Sequence, residues 1–206
     1  MNKGMTILYK VYNNLYVNMT NRCPYACTFC LRQNMDTVSK TDTRSLWLER
    51  EPSVEEIKSE FLKYDMNEFN EVVFCGYGEP TERLEDLLEV AKYVKEQYGK
   101  KIRVNTNGMS NLIWNCDTAP EYEGLIDTVS ISLNHPDPVQ YQKLVRSKFG
   151  NQSHSEMLKF ARDVRKYVPN VVMTTVDTTI SKEEEKECQK ICDELNVTYR
   201  IRPWEE

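Results

Sequence analysis

The sequence has no apolar run long enough to cross a membrane, and Met1 to Lys10 holds none long enough for a secretion signal. Membrane insertion and export are therefore not expected, and the cytoplasm is the expected location. There is also no basic block, and the net charge of −5 argues against a nucleic-acid backbone as the main partner. Internal repeats and low-complexity segments are missing, which sets aside solenoids and disordered tails. What remains is an ordinary globular composition, with 29% charged and 40% hydrophobic residues over 206 positions, long enough for one domain with a sizeable core. Seven cysteines without a secretion signal read as metal or redox residues in a reducing compartment rather than as disulfides.

Strand-like and helix-like segments alternate along the chain. Met5 to Tyr12 and Leu15 to Thr20 are rich in β-branched and aromatic residues, with Asn13-Asn14 placed for a tight hairpin turn. Leu31 to Glu51 is polar and irregular, with Leu46 and Trp47 its only apolar pair, and reads as a substrate-side lid or a flexible insertion. Ser53 to Glu56, Ser153 to Glu156 and Ser181 to Glu184 each fit a capping box, and Pro138 after Asp137 suits a first helical position. Strands are expected at Glu71 to Gly76, Ile102 to Thr106, Asp127 to Leu133, Val171 to Val176 and Val197 to Arg202, with helices between most of them. Such alternation implies parallel strands joined by right-handed crossovers. A closed barrel takes eight units in about 250 residues, so this length has room for about six. The fold expected is α/β, an open partial (βα)6 barrel over residues 15–204 with an N-terminal hairpin strand, and the chain is expected to be one domain.

In parallel α/β folds the site lies at the carboxyl ends of the strands. The segments there are Cys23-Pro24-Tyr25-Ala26-Cys27-Thr28-Phe29-Cys30, Gly76-Tyr77-Gly78-Glu79-Pro80, Asn105-Thr106-Asn107-Gly108, Ser130 to His135, and Arg202-Pro203-Trp204. Three thiolates on one loop suit zinc or an iron–sulfur cluster. A structural zinc ion needs four ligands, and the fourth would have to be remote: His135, His154, Cys75, Cys116, Cys188 or Cys192. Three cysteines with no nearby fourth better fit a four-iron cluster with one open iron.

The C-x3-C-x2-C loop with Phe29 before its last cysteine, and Asn21-Arg22 before its first, resembles the radical S-adenosylmethionine (radical SAM) superfamily. Gly76 to Pro80 resembles that family's Gly-Gly-Glu-Pro motif, with Tyr77 separating the two glycines. Asn105 to Gly108 and Ser130 to Asn134 resemble its third- and fourth-strand segments. The run Asn14 to Cys23 looks most like a short group associated with TatD-type hydrolases. The resemblance implies that Cys23, Cys27 and Cys30 hold three irons of a 4Fe-4S cluster, while the amino and carboxylate groups of SAM chelate the fourth. It implies that Gly76, Tyr77, Gly78 and Glu79 serve the methionine ammonium, with glycine allowing close backbone approach. Thr106, Asn107, Ser132 and Asn134 would meet the ribose hydroxyls and the methionine carboxylate, Arg146 would pair with that carboxylate, and backbone near Arg202 would meet adenine. One electron, from a donor such as flavodoxin or ferredoxin, would cleave SAM to a 5′-deoxyadenosyl radical that abstracts hydrogen from substrate.

Other readings sit beside these. An activase making a glycyl radical on a partner protein and a deazapurine-synthase-like small-molecule enzyme belong to the same superfamily; a metal-binding module without catalysis does not need SAM. His135 lies on the expected rim as a candidate substrate acid or base, though a lone histidine is more often structural. The plainer reading of Arg146 is a solvated helix-end arginine. His154 falls inside a capping box. Cys188 and Cys192 share an apolar helix face with Ile191 and Leu195, and Cys75 sits in an apolar strand, so all three read as core thiols.

Overall fold

The computed structural model describes residues 4–34 and 44–203. Its frame is a seven-stranded sheet of β1 (Leu8–Val11), β2 (Asn14–Val17), β3 (Glu71–Phe74), β4 (Lys101–Thr106), β5 (Thr128–Ser132), β6 (Asn170–Val176) and β7 (Thr198–Arg202), ordered in space as in sequence. The β1–β2 pair is antiparallel and every later pair is parallel, so this is the open partial barrel with a hairpin strand in front. The hairpin turn falls on Tyr12-Asn13 rather than Asn13-Asn14, because Val11 pairs with Asn14 and Tyr12 takes the positive φ of 51°. Asn14 is thereby spent as the first strand residue.

The helices are α1 (Leu31–Asn34), α2 (Val54–Phe61), α3 (Leu84–Tyr98), α4 (Ser110–Trp114), α5 (Pro138–Val145), α6 (Gln152–Val164) and α7 (Lys182–Leu195). Ser53 and Ser181 close reciprocal capping boxes with Glu56 and Glu184, as their spacing predicts. Asp137 caps α5, with Pro138 at its start. Ser153 does not cap. The helix begins two residues earlier, after Asn151, so Ser153 falls in the first turn, fully buried, with its hydroxyl 2.6 Å from that of Ser147.

Strand alternation gives the sheet two unlike faces. The outer face sends Leu15, Val17, Val72, Phe74, Ile102, Val104, Val129 and Ile131 into one apolar core with α3, α6 and α7. Each such residue stabilises the fold by about 1.5–3 kcal/mol relative to exposure. Cys188 and Cys192 are fully buried in this core, as their stripe predicts. The concave face carries the in-between residues, among them Tyr16, Val73, Arg103, Asn105, Ser130 and Arg200. Cys75 continues the Glu71–Val73 parity and is half-buried beside Arg103, Arg202 and Asn105. It is therefore a thiol of the concave face and not of the core, a correction that follows from the period of two.

The long segment after the cysteine loop starts with α1 rather than wholly irregular chain. Its middle, and Trp204, lie outside the described residues. Its far end is anchored. Asn18 Nδ2 donates to the Leu46 carbonyl at 2.8 Å, Asn21 exchanges two hydrogen bonds with the Leu48 backbone, and Arg22 pairs with Glu51 at 2.8 Å. Trp47 packs edge-on against Tyr77, in a small aromatic cluster with Tyr9 and Leu46 that is separate from the main core.

Candidate active site

The cysteine loop leaves β2 and is held from two sides. Ala26 and Thr28 donate from their backbone nitrogens to the Val145 and Leu144 carbonyls, and Lys148 N donates to the Pro24 carbonyl. Tyr25 is buried, its hydroxyl 2.9 Å from that of Tyr141. The last turn of α5 thus docks on the loop. Arg146, which ends α5 with a φ of 48°, stands beside it, exposed and with no side-chain partner among the described residues.

Cys23, Cys27 and Cys30 are each half-buried. Burial pushes the Cys23 and Cys27 thiols up to about 12; for Cys23 the nearby Glu79 carboxylate adds to it, and for Cys27 the neighbouring Cys30 and Cys23 do. The three thiols therefore feel one another. Among the described residues, however, no three His, Cys, Asp or Glu side chains gather closely enough to hold a single metal ion. One tetrahedral zinc, with bonds of about 2.3 Å, would need its sulfurs within about 4 Å of each other. A four-iron cluster gives each thiolate its own iron, so the wider setting on one loop fits it better.

Next to the loop, Glu79 ties the rim together. It is buried, and burial raises its pKa against the hydrogen bonds it accepts. Thr106 Oγ1 donates at 2.7 Å, Thr81 Oγ1 at 2.8 Å and Asn107 N at 2.8 Å, while Glu79 N donates to the Arg22 carbonyl at 2.7 Å. One residue thereby joins the entry to the cysteine loop, the end of β3 and the end of β4. The glycines beside it serve the same closeness. A Cβ on Gly76 would lie 2.1 Å from Asn18 Oδ1, and one on Gly78 would lie 2.2 Å from the Thr20 carbonyl oxygen. The expectation was close approach to a ligand; what requires glycine in this structure is close approach of two chain segments.

The expected polar residues divide. The Thr106 hydroxyl is spent on Glu79 and on Gly108 N, so it positions and does not face a ligand. Asn107 accepts from Met109 N through Oδ1, leaving a buried Nδ2 unpartnered. Asn134, in left-handed backbone with a φ of 60°, keeps a buried Oδ1 unpartnered, and Ser132 is half-buried at the end of β5. Arg202 closes β7 with a buried, unpartnered Nε. Donors and acceptors buried without partners are costly unless a ligand takes them, so this rim fits a small polar cofactor.

His135 is committed elsewhere. Its Nδ1 accepts from Asp137 N at 3.0 Å, which leaves the proton on Nε2, 3.1 Å from Glu184 Oε1. Both ring nitrogens join the β5–α5 turn to α7, which corrects its candidacy as acid or base. His154 donates to the His135 carbonyl, and burial lowers its pKa. Asn105 is the residue the motif reading passed over. It carries no role in the motif, yet it faces the concave side with a buried Oδ1 that has no partner among the described residues, a placement that strand parity alone predicts.

The model for the radical SAM superfamily matches residues 17–195. The chain belongs to that superfamily, and membership implies a 4Fe-4S cluster and SAM. It is 28% identical over 139 residues to a GTP 3′,8-cyclase of Rhizobium etli (strain CIAT 652), covering 64% of this chain and 35% of the cyclase. Its fold matches that of Streptococcus suis SuiB bound to the precursor peptide SuiA with a TM-score of 0.69, at 17% identity over 94% of this chain and 40% of SuiB. A radical SAM methyltransferase from Sphaerobacter thermophilus gives a TM-score of 0.64, at 16% identity over 95% of this chain and 57% of that one. At these identities the solved structures speak for the fold alone. The chain spans well under two thirds of each of these relatives.

Proposed function

We propose that the chain cleaves SAM reductively and uses the resulting radical on a small-molecule substrate, with residues 15–204 acting as one catalytic unit. The observation that carries this is the Glu79 junction, which sets the three-cysteine loop against a rim of unpartnered polar atoms. When bound, the cluster and SAM supply a 5′-deoxyadenosyl radical on receipt of one electron.

The protein's part is binding, orientation and exclusion of water. Cys23, Cys27 and Cys30 would hold the cluster as thiolates, and at Cys23 and Cys27 the metal centre would displace a proton that burial otherwise retains. The Gly76–Glu79 backbone receives the methionine ammonium, with Tyr77 braced by Trp47. Arg146, beside the cysteine loop, pairs with the methionine carboxylate. Asn107 Nδ2, Asn134 Oδ1 and Ser132 serve the ribose, and the chain around Arg202 meets adenine. The Glu79 carboxylate and the Thr106 hydroxyl hold these groups in place. The anchored segment 44–51 covers one flank of the concave face and favours a small substrate over a docked protein loop.

Flavodoxin or ferredoxin fits the role of electron donor. The Asn14–Cys23 run supports kinship with the TatD-associated group. The test is anaerobic cluster reconstitution followed by SAM and a strong reductant. Formation of 5′-deoxyadenosine is expected, and a cluster-replete protein that makes none overturns the reading.

A further inference from the structure

The concave face holds a cluster that the cysteine loop does not use and that shares only Arg202 with the SAM rim. Arg103 lies on β4, and Arg200 and Arg202 lie on β7. Register places all three on this face: Arg103 shares its side with Asn105, Asn105 pairs with Ser130, and Ser132 pairs with Thr174, which pairs with Arg200. In a flat sheet β4 and β7, three strand spacings apart, would be about 14 Å from each other. In an open barrel the sheet curls, so that β4 and β7 face the same concavity, and there Arg103 and Arg202 both lower the pKa of Arg200, after burial as the first cause.

The charges do not balance. Glu71 pairs with Arg103 at 2.8 Å. Arg200 and Arg202 have no acidic partner among the described residues. Three guanidiniums against one carboxylate leave a positive surplus inside a chain whose net charge is −5. The Nε atoms of Arg103 and Arg202 are moreover buried and, among the described residues, unpartnered. Like charges brought together in a half-closed space, with their donors unused, are what an anion relieves. On the opposite flank stand Tyr16, 3.4 Å from Arg103, and the aromatic cluster around Tyr9.

We propose that Arg103, Arg200 and Arg202 form the substrate's anion subsite, and that the substrate is a small molecule bearing carboxylate or phosphate groups. The proposal rests on the radical SAM reading for its meaning, though not for its test. Guanidinium matches both oxyanions through paired N–H donors, and the concave face lies below the rim to which SAM is assigned.

The experiment is calorimetric titration of the anaerobically reconstituted protein with pyrophosphate and, separately, with citrate. At least one is expected to bind, more weakly as salt rises. Arg200→Met should weaken that binding roughly tenfold or more, and Arg200→Lys should restore part of it. Arg200 keeps much of its side chain exposed and has no hydrogen-bond or ion-pair partner among the described residues, so the melting temperature of either variant should not move. Glu71→Gln, which removes the only carboxylate paired with the cluster, should tighten binding severalfold. Pyrophosphate alone binding identifies a phosphorylated substrate, citrate alone a carboxylated one, and both an oxyanion site of either kind. Binding of neither probe, or wild-type affinity in Arg200→Met, overturns the proposal. A protein that makes 5′-deoxyadenosine yet binds neither anion refutes this inference alone; one that binds anions and makes none refutes the radical reading alone.

Discussion

Two groups of cysteines in this molecule have the same acidity and opposite roles. Burial pushes Cys23 and Cys27 on the loop, and Cys188 and Cys192 on α7, all to about 12. Thiol pKa does not separate them; surroundings do. The α7 pair lies fully buried on an apolar stripe with Leu195. The loop cysteines are half-buried, influence one another and border a rim with unused polar atoms. A raised pKa means only that a thiol keeps its proton when nothing replaces it. On the loop a metal centre would replace it, whereas on α7 Cys188 has only the Tyr199 hydroxyl beside it and both thiols otherwise sit in the apolar core.

The sharpest way to break this contrast is to truncate each group. Cys23→Ala, Cys27→Ala and Cys30→Ala are each expected to lose essentially all cluster iron after anaerobic reconstitution, read by iron content and visible absorption. Glu79→Ala comes next. It strands the Thr106 hydroxyl and Asn107 N in a buried site, costing on the order of 3 kcal/mol. SAM affinity should fall roughly tenfold or more while iron content largely holds. Equal loss of iron would show that Glu79 organises the cysteine loop as much as the rim. Gly78→Ala drives a Cβ against the Thr20 and Arg22 backbone, costing about 1–3 kcal/mol. It should lower the melting temperature and, by shifting the loop entry, reduce cluster retention.

The smallest effects belong to α7. Cys188→Ala and Cys192→Ala should each cost about 1 kcal/mol in denaturant unfolding and leave iron content unchanged. Their pH dependence has a definite sign. A thiol held near 12 when folded and near 9 when unfolded keeps its contribution below pH 9 and loses it as pH rises toward 12. Each alanine variant should therefore show a shallower alkaline loss of stability than the parent. Iron lost from Cys188→Ala would erase the distinction between the two groups.

Much of the site was legible before any coordinates. Cys23 to Cys30, Gly76 to Pro80 and Asn105 to Gly108 are contiguous motifs, and the alternation of elements places them at strand ends. Roles within the motifs were less legible. Thr106 and Asn107 are neighbours in a polar quartet, yet one is spent on Glu79 and the other keeps a free donor. Spacing along the chain says nothing about which partner reaches a side chain from another strand. His135 looked available on the rim until Asp137 and Glu184 took its two nitrogens. Ser153 matched a capping box by spacing alone, and the turn after Gly150 enters the helix two residues early.

By itself the sequence determined the elements, the three-cysteine loop and the family, because these depend on local periodicity and on ligands close together in the chain. The tertiary structure decided what faces what. It turned Cys75 and Asn105 to the concave side, gave the glycines to contacts between segments, and set Arg103 opposite Arg200 across the sheet. Those outcomes depend on how a twisted sheet curves and on which strands become neighbours, and that geometry belongs to contacts between residues far apart in sequence.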